Sequence, residues 1–166
     1  ETLGSHGGLM DKGLFHFEEI QRVPFLVKLP TGDTAAPGST RGEFVSLVDI
    51  YPTLVEAAGA TPAAETVHGR SLFDLLCGRV RNGVPNDGDS AADPTRPWRD
   101  DIVVESEGCV GTGISLRTLR YGQWKYGWSF GTDEQLYDLG DDPHEMTSLA
   151  GNPAHQGTLN EMRRRM

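Results

Sequence analysis

Residues 114–128 read Ile114-Ser115-Leu116-Arg117-Thr118-Leu119-Arg120-Tyr121-Gly122-Gln123-Trp124-Lys125-Tyr126-Gly127-Trp128, and their period decides the fold class. Apolar and polar residues alternate along the first half, Trp124, Tyr126 and Trp128 repeat the alternation, and Tyr121-Gly122-Gln123 lies between them as a turn. Side chains separated by two positions share a face of a strand, so the stretch predicts a hairpin with one apolar and one wet face. The three aromatic residues of the second strand fall on one face. A core-forming row outweighs a sugar-stacking platform, since aromatic pairs stabilise small sheets.

Ile102-Val103-Val104-Glu105 offers a strand before the hairpin and Leu136-Tyr137-Asp138-Leu139 one after it, which makes four antiparallel strands. Asp142-Pro143-His144-Glu145 has the N-cap, first-turn proline and early acid of a helix start. Asn152-Pro153 repeats the device. Leu159, Met162 and Met166 then form one stripe of a closing helix that should cover the sheet.

Upstream, residues 78–100 have almost no apolar content and read as a long surface excursion. Gly69-Arg70-Ser71-Leu72-Phe73-Asp74-Leu75-Leu76 predicts a short helix capped by Ser71. Ser46-Leu47-Val48-Asp49 has the form of a capping box with Asp in place of Glu, and Leu47, Val48, Tyr51, Leu54, Val55 and Ala58 keep an apolar stripe at helical spacing. Pro52 is tolerated if it falls in the first turn, and Gly59 is a stop signal. Val23-Pro24-Phe25-Leu26-Val27-Lys28-Leu29-Pro30, an apolar run bounded by prolines, reads as a strand of a parallel sheet whose neighbours lie elsewhere. Residues 1–13, with four glycines, read as a loop lying close against something.

The expectation is therefore an α/β class, in the form of an α+β fragment. Residues 1–77 hold the last strand and helix of an α/β domain, 78–100 a surface loop, and 101–166 a four-stranded antiparallel sheet with a C-terminal helix. The 166 residues are only 37% hydrophobic and contain 21 Gly and 10 Pro, which suits short elements joined by many turns. A net charge of −9 argues against a nucleic-acid backbone as partner. Arg163-Arg164-Arg165, the one dense basic run, suits a helix C-terminus. No stretch approaches a membrane span. Cys77 and Cys109 have no second Cys or His at metal-ligand spacing, leaving a disulfide or two thiols.

Gly4-Ser5-His6-Gly7-Gly8-Leu9-Met10-Asp11-Lys12-Gly13, followed by Glu18-Glu19-Ile20-Gln21-Arg22-Val23-Pro24, closely resembles a stretch of the sulfatase family within the alkaline-phosphatase-like superfamily. Val45 to Leu54, Gly69 to Leu72, Arg120 to Tyr126 and Leu136 to Leu139 with Asp142, Pro143 and Glu145 follow in the family's order. An additional glycine at position 7 or 8 lengthens the family's usual His-to-Lys spacing by one. The resemblance implies a sulfuric ester hydrolase that uses a formylglycine nucleophile, made in a Cys/Ser-x-Pro-x-Arg motif, and a calcium ion held by acidic and amide ligands. Neither cysteine here sits in such a motif. The resemblance thus implies that nucleophile and metal ligands precede Glu1, that the chain is a truncation needing that preceding segment, and that it is inactive alone.

Cleaving a sulfate ester places negative charge on the bridging oxygen, so a fixed cation there stabilises the transition state. Lys12 matches the family's lysine for this task. His6 is suited to line the substrate or lend a proton to the departing alcohol. His16, between Phe15 and Phe17, reads either as packed against the next layer or as a substrate contact. Arg22 most simply pairs locally with Glu18 and Glu19, and Asp11 is placed to orient Lys12. The loop from Glu105 to Gly113 is a candidate for choosing the substrate, a sulfated small molecule or carbohydrate. Two alternatives remain: a phosphodiesterase or phosphonate monoester hydrolase of the same superfamily, since phosphate and sulfate esters share tetrahedral geometry, and a non-catalytic interaction module. Against the module stands the apolar strand at 23–29, which alone would expose a sticky edge.

Overall fold

The computed structural model describes residues 2–11, 15–29, 38–60, 67–78, 80–81, 84–85, 98–107 and 115–166, with backbone alone at 11, 80, 81, 84 and 85. Two compact units result. One joins residues 1–25 to 101–166, and the other is residues 26–100. Among the described residues no helix is long and apolar enough to cross a membrane.

The opening stretch, read from sequence as a loop, closes a small hairpin instead. Strand β1 (Thr2–Leu3) pairs with β2 (Met10–Asp11) in antiparallel register, Leu3 facing Met10. Between them lies a single turn, α1 (Ser5–Gly8). Helix α2 (Glu18–Gln21) follows, with Glu18 and Glu19 in its first turn, where acids complement the helix dipole. Beyond it residues 22–29 form no strand, and Val23, Phe25, Leu26 and Val27 are exposed, Leu26 at 89%. An apolar run becomes a strand only when neighbours complete its ladder, and no described residue does so here.

In the unit of residues 26–100 the capping box forms as its spacing predicts. Asp49 accepts from the Ser46 N–H at 2.8 Å, a 3₁₀ turn covers Leu47–Asp49, and α3 runs over Ile50–Ala57. Pro52 falls in the first turn, where its missing N–H is not needed, and Gly59 ends the helix with φ of +69°. The apolar stripe exists but is not covered: Leu47, Val48, Tyr51 and Leu54 are all exposed.

Polar ties hold the helix. The Thr53 hydroxyl donates to the Asp49 carbonyl at 2.6 Å and accepts from the Leu72 N–H at 2.9 Å. The fully buried Asp49 carboxylate also accepts from the Arg70 N–H at 2.8 Å and the Arg99 guanidinium at 2.7 Å. Gly69 is required beside it, since a Cβ there would lie 1.9 Å from the Val48 carbonyl oxygen.

Ser71 accepts from the Phe73 N–H at 3.3 Å ahead of α4 (Phe73–Leu76), as the sequence predicts. A short ladder pairs β3 (Val80–Arg81) with β4 (Val84–Pro85). The end of the expected surface excursion turns inward. Trp98 buries against Leu72 and Leu75, donates to the Phe44 carbonyl at 2.8 Å, and lies under the guanidinium groups of Arg70 and Arg99.

The expected antiparallel sheet is present as β5 (Asp101–Glu107), β6 (Ser115–Tyr121), β7 (Trp124–Ser129) and β8 (Gln135–Asp138), in that order. The register places Val103, Leu119, Tyr126 and Leu136 side by side, and Tyr121 opposite Trp124. Helix α5 (Gln156–Arg165) covers this face with Leu159 and Met162, with Met166 packed beside them. The aromatic row is therefore core. Asn152 caps the 3₁₀ turn Pro153–His155 through the Ala154 N–H at 3.0 Å. The Tyr126 hydroxyl donates to Glu134 at 2.6 Å, Glu134 pairs with Arg163, and the Arg165 guanidinium stacks 3.5 Å from the Tyr121 ring.

One expected helix start is absent. Asp142 caps a turn rather than a helix, accepting from the N–H groups of Met146 and Thr147 at 3.0 and 2.9 Å. Glu145 adopts a left-handed backbone, φ +56°, and turns its side chain inward.

Asp49→Ala is expected to lower stability by about 3 kcal/mol, because it strands the Arg99 guanidinium and two backbone donors. Exposed Glu56→Ala should stay within about 0.5 kcal/mol of the parent. Urea denaturation of the two variants checks this, and equal stability for both would contradict it.

Candidate functional site

The tip of the N-terminal hairpin is built from left-handed residues: Gly4 (φ +96°), His6 (+51°), Gly7 (+81°) and Gly8 (+94°). Glycine takes this conformation without a Cβ penalty, and His6 takes it only because the turn around it is held. The Gly4 N–H donates to the Leu9 carbonyl at 2.8 Å, and the Leu9 N–H to the Ser5 carbonyl at 2.9 Å. The His6 ring stacks on Phe17 with centroids 3.6 Å apart and planes 11° from parallel. Phe15 stacks loosely on the other aromatic, 5.9 Å from Phe17, and the Ser5 hydroxyl donates to the Glu19 carboxylate. The tip is thus docked on residues 15–19. Lys12 lies outside the described residues, but it follows directly on Asp11, the end of β2, and only residues 12–14 separate that strand from Phe15.

Residues 15–21 lie in turn on the second face of the antiparallel sheet, the face read from sequence as wet. His16 is 5% exposed and stands over Gly127, where an added Cβ would come within 2.7 Å of its ring. Its Nδ1 lies 2.7 Å from Thr118 Oγ1 and its Nε2 2.8 Å from Ser129 Oγ. Gln21 Nε2 donates to the same Thr118 hydroxyl at 2.9 Å. Both ring nitrogens are therefore taken by protein hydroxyls, which is the placement of a packed histidine. Burial, reinforced by the Lys125 ammonium, pushes the His16 imidazole down to about 4. The neutral ring then donates through one nitrogen and accepts through the other.

Beside it lies an ionic cluster. Lys125 is 0% exposed, its Nζ 2.7 Å from Glu145 Oε1 and 3.0 Å from Glu18 Oε1. The Arg120 guanidinium lies 3.0 Å from Glu18 Oε2, and the Glu18 N–H donates to Glu145 Oε2 at 2.6 Å. Two cations thus face two carboxylates, and α2 is tied at its first residue. Burial raises the Glu18 carboxyl, but Lys125 and Arg120 outweigh it and hold the group below the usual carboxylate range. Glu18 therefore pairs across the fold and not with Arg22, the local partner the sequence suggests.

Sequence reasoning missed Lys125, Arg120, Thr118, Ser129 and Glu145. Their one visible signal was position, since the first four alternate with the apolar residues of the hairpin. Alternation distinguishes two faces but does not say that the polar one will be covered. Among the described residues no group of three His, Cys, Asp or Glu side chains is placed to hold a metal ion. Those residues therefore offer no cradle for the calcium ion that the resemblance implies. Cys109 and residues 108–113 of the suggested specificity loop lie outside the described residues, as does any pairing of Cys77 with Cys109.

His16 titrates near 6.5 when unfolded and near 4 when folded. The unfolded chain thus holds more protons between these values, and stability falls as pH drops from 6.5 to 4. His16→Gln is expected to flatten that decline by about 1 kcal/mol per pH unit. Urea midpoints at several pH values check it, and equal slopes in both proteins would contradict it.

The C-terminal family model of N-sulphoglucosamine sulphohydrolase matches residues 4–87, about half of the chain. Arylsulfatase K of Gallus gallus is 38% identical over 141 residues, which is 81% of this chain and 23% of that protein. The multifunctional alkaline phosphatase superfamily protein PehA of Trinickia caryophylli is 28% identical over 165 residues, 97% of this chain and 30% of PehA. Among solved structures, a 2-O GAG sulfatase matches with a TM-score of 0.57 at 28% identity, covering 70% of this chain and 22% of that one. The chain spans less than a third of the length of each of these relatives. The docked glycine-rich turn lies within the matched family segment and the sheet recurs in the matching fold, so the chain belongs to the sulfatase family of the alkaline-phosphatase-like superfamily, as its C-terminal part.

Proposed function

We propose that the protein hydrolyses sulfate esters and that this chain contributes the cationic and substrate-lining half of the site, with Lys12 and His6 as its functional residues. The observation that carries the proposal is the docking of residues 2–11 on residues 15–19, the part of the chain in which the family match begins. A loop glycine-rich at its tip would otherwise be free to move. Here β1–β2 pairing, the His6–Phe17 stack and the Ser5–Glu19 contact hold it.

Lys12 sits between two anchored points, the end of β2 and the Phe15–Phe17 stack. A compact ammonium there binds a sulfuryl oxygen and the leaving oxygen together, where negative charge grows as the ester bond breaks. His6, half-exposed at the turn, is the second group assigned to the substrate, which its hydrogen bond orients or whose departing alcohol it protonates. His16 holds the segment from beneath.

Calcium and formylglycine, when present, supply the electrophilic cation and the nucleophile. In this proposal their ligands and source residue belong to another part of the protein, and this chain is inactive without that part. The substrate is a sulfated small molecule or carbohydrate, a class consistent with the 2-O GAG sulfatase among the matching structures.

A phosphodiesterase or phosphonate monoester hydrolase of the same superfamily is the second possibility, since phosphate and sulfate esters share tetrahedral geometry and PehA, a multifunctional protein of the alkaline phosphatase superfamily, matches over 97% of the chain. Full-length protein assayed on nitrophenyl sulfate and on a nitrophenyl phosphodiester separates the two, and faster turnover of the phosphodiester would overturn the sulfatase assignment. With the preferred ester, Lys12→Ala is expected to lower kcat/KM about 100- to 1,000-fold. His6→Ala should lower it about tenfold, by loss of positioning or of proton transfer. Unchanged kinetics in Lys12→Ala would remove the lysine from the chemistry.

A further inference from the structure

We propose that Phe17 is a positioning residue for His6, its ring fixing the plane of the imidazole and so the direction in which the His6 nitrogens meet the substrate. The inference rests on the role proposed for His6 and goes beyond it, since it names the group that gives this histidine its orientation.

Among the described left-handed residues of the hairpin tip, only His6 carries a side chain. A left-handed backbone with a Cβ costs free energy and persists where its surroundings hold it. The tip has no wall around it, because a Cβ built at Gly4, Gly7 or Gly8 would meet nothing within 4 Å. Besides the hairpin's own hydrogen bonds, it is held by side chains that reach outward, the His6 ring on Phe17 and the Ser5 hydroxyl on Glu19.

The two histidines near Phe17 meet opposite fates. His16 is buried, and both its nitrogens lie within hydrogen-bond distance of protein hydroxyls. Among the described residues neither nitrogen of His6 has a hydrogen-bond partner, and the residue is half-exposed. Stacking engages the face of an imidazole, whereas its nitrogens donate and accept in the plane of the ring. A stack with planes 11° from parallel therefore fixes where both nitrogens point and consumes neither.

Phe17 can set that direction because its own place is fixed from both sides. It is 9% exposed, His16 before it is pinned to Thr118 and Ser129, and the N–H of Glu18 after it donates to Glu145 at 2.6 Å. From the sheet to the His6 ring there is one peptide step and one stack. A leucine at position 17 would keep an apolar side chain there but offer no flat face, which leaves the imidazole to turn among its rotamers.

The test is made in the full-length protein, on whichever of nitrophenyl sulfate and the nitrophenyl phosphodiester it turns over faster. Rates are normalised to folded enzyme by near-ultraviolet circular dichroism, and the His6 ring protons, identified by their loss in His6→Ala, are read by NMR of isotope-labelled histidine. In the parent the Phe17 ring current should shift these protons upfield. Phe17→Leu is expected to abolish the shift and to lower kcat/KM about three- to tenfold, a loss bounded by the contribution of His6 itself. Phe17→Tyr, which keeps the flat face, should retain the shift and stay within about twofold of the parent. In the His6→Ala background Phe17→Leu should lower kcat/KM by less than about 1.5-fold further, because the group it positions is already gone. Parent-like kcat/KM in Phe17→Leu, a loss that multiplies in full with that of His6→Ala, or no upfield shift in the parent overturns the positioning role and leaves the role of His6 intact. Parent-like kcat/KM in His6→Ala alone instead removes the role proposed for His6 and this inference with it. Should Leu at position 17 prevent folding, Phe17→Met, apolar and equally without a ring, is judged by the same criteria.

Discussion

A lysine ammonium with no exposure to water, held between two carboxylates, sets the architecture of the unit that carries the candidate site. Charge removed from water must find partners within a few ångströms, and Glu18 at the start of α2 and Glu145 provide them. The remaining contacts are consistent with that placement. His16 comes to rest over Gly127, where no side chain intervenes, and its two nitrogens meet Thr118 and Ser129. Phe17 then presents the ring on which His6 stacks. The chain order from sheet to loop is a sequence of short, mutually dependent constraints.

The two faces of the sheet do different work. One is apolar and takes α5 through Leu159 and Met162, an arrangement driven by area removed from water and tolerant of small shifts. The other binds its cover through directional polar contacts, which allow little sliding. A sheet that is merely stabilised can be covered by any amphipathic element. One that has to present a loop at a defined position gains from the second kind of contact.

The unit of residues 26–100 obeys the same logic in smaller form. The Asp49 carboxylate joins a helix start, the backbone at Arg70 and the Arg99 guanidinium, while Trp98 closes the small core of Leu72 and Leu75. The apolar side of α3 and of the turn before it is exposed at Leu47, Tyr51 and Leu54. Polar ties rather than a large core give this unit its shape, as the chain's low apolar content requires.

Local chemistry was legible in the sequence. Period-two alternation pointed to the hairpin and short apolar runs to the strands on either side of it, the Ser46–Asp49 spacing and Pro52 pointed to the start of α3, and Asn152-Pro153 to the start of α5, because each depends on residues within a few positions of one another. The glycine-rich segment and its family resemblance pointed to Lys12 and His6 for the same reason. Tertiary structure alone decided that the polar face of the hairpin is covered, that Glu18 answers Lys125 and not Arg22, and that Glu145 turns inward in place of starting a helix. It also left residues 22–29 without a ladder. The cover on the polar face depends on groups more than a hundred positions apart, such as His16 with Thr118 and Glu18 with Lys125, and a buried charge selects its partner by distance in space, which no pattern along the chain records.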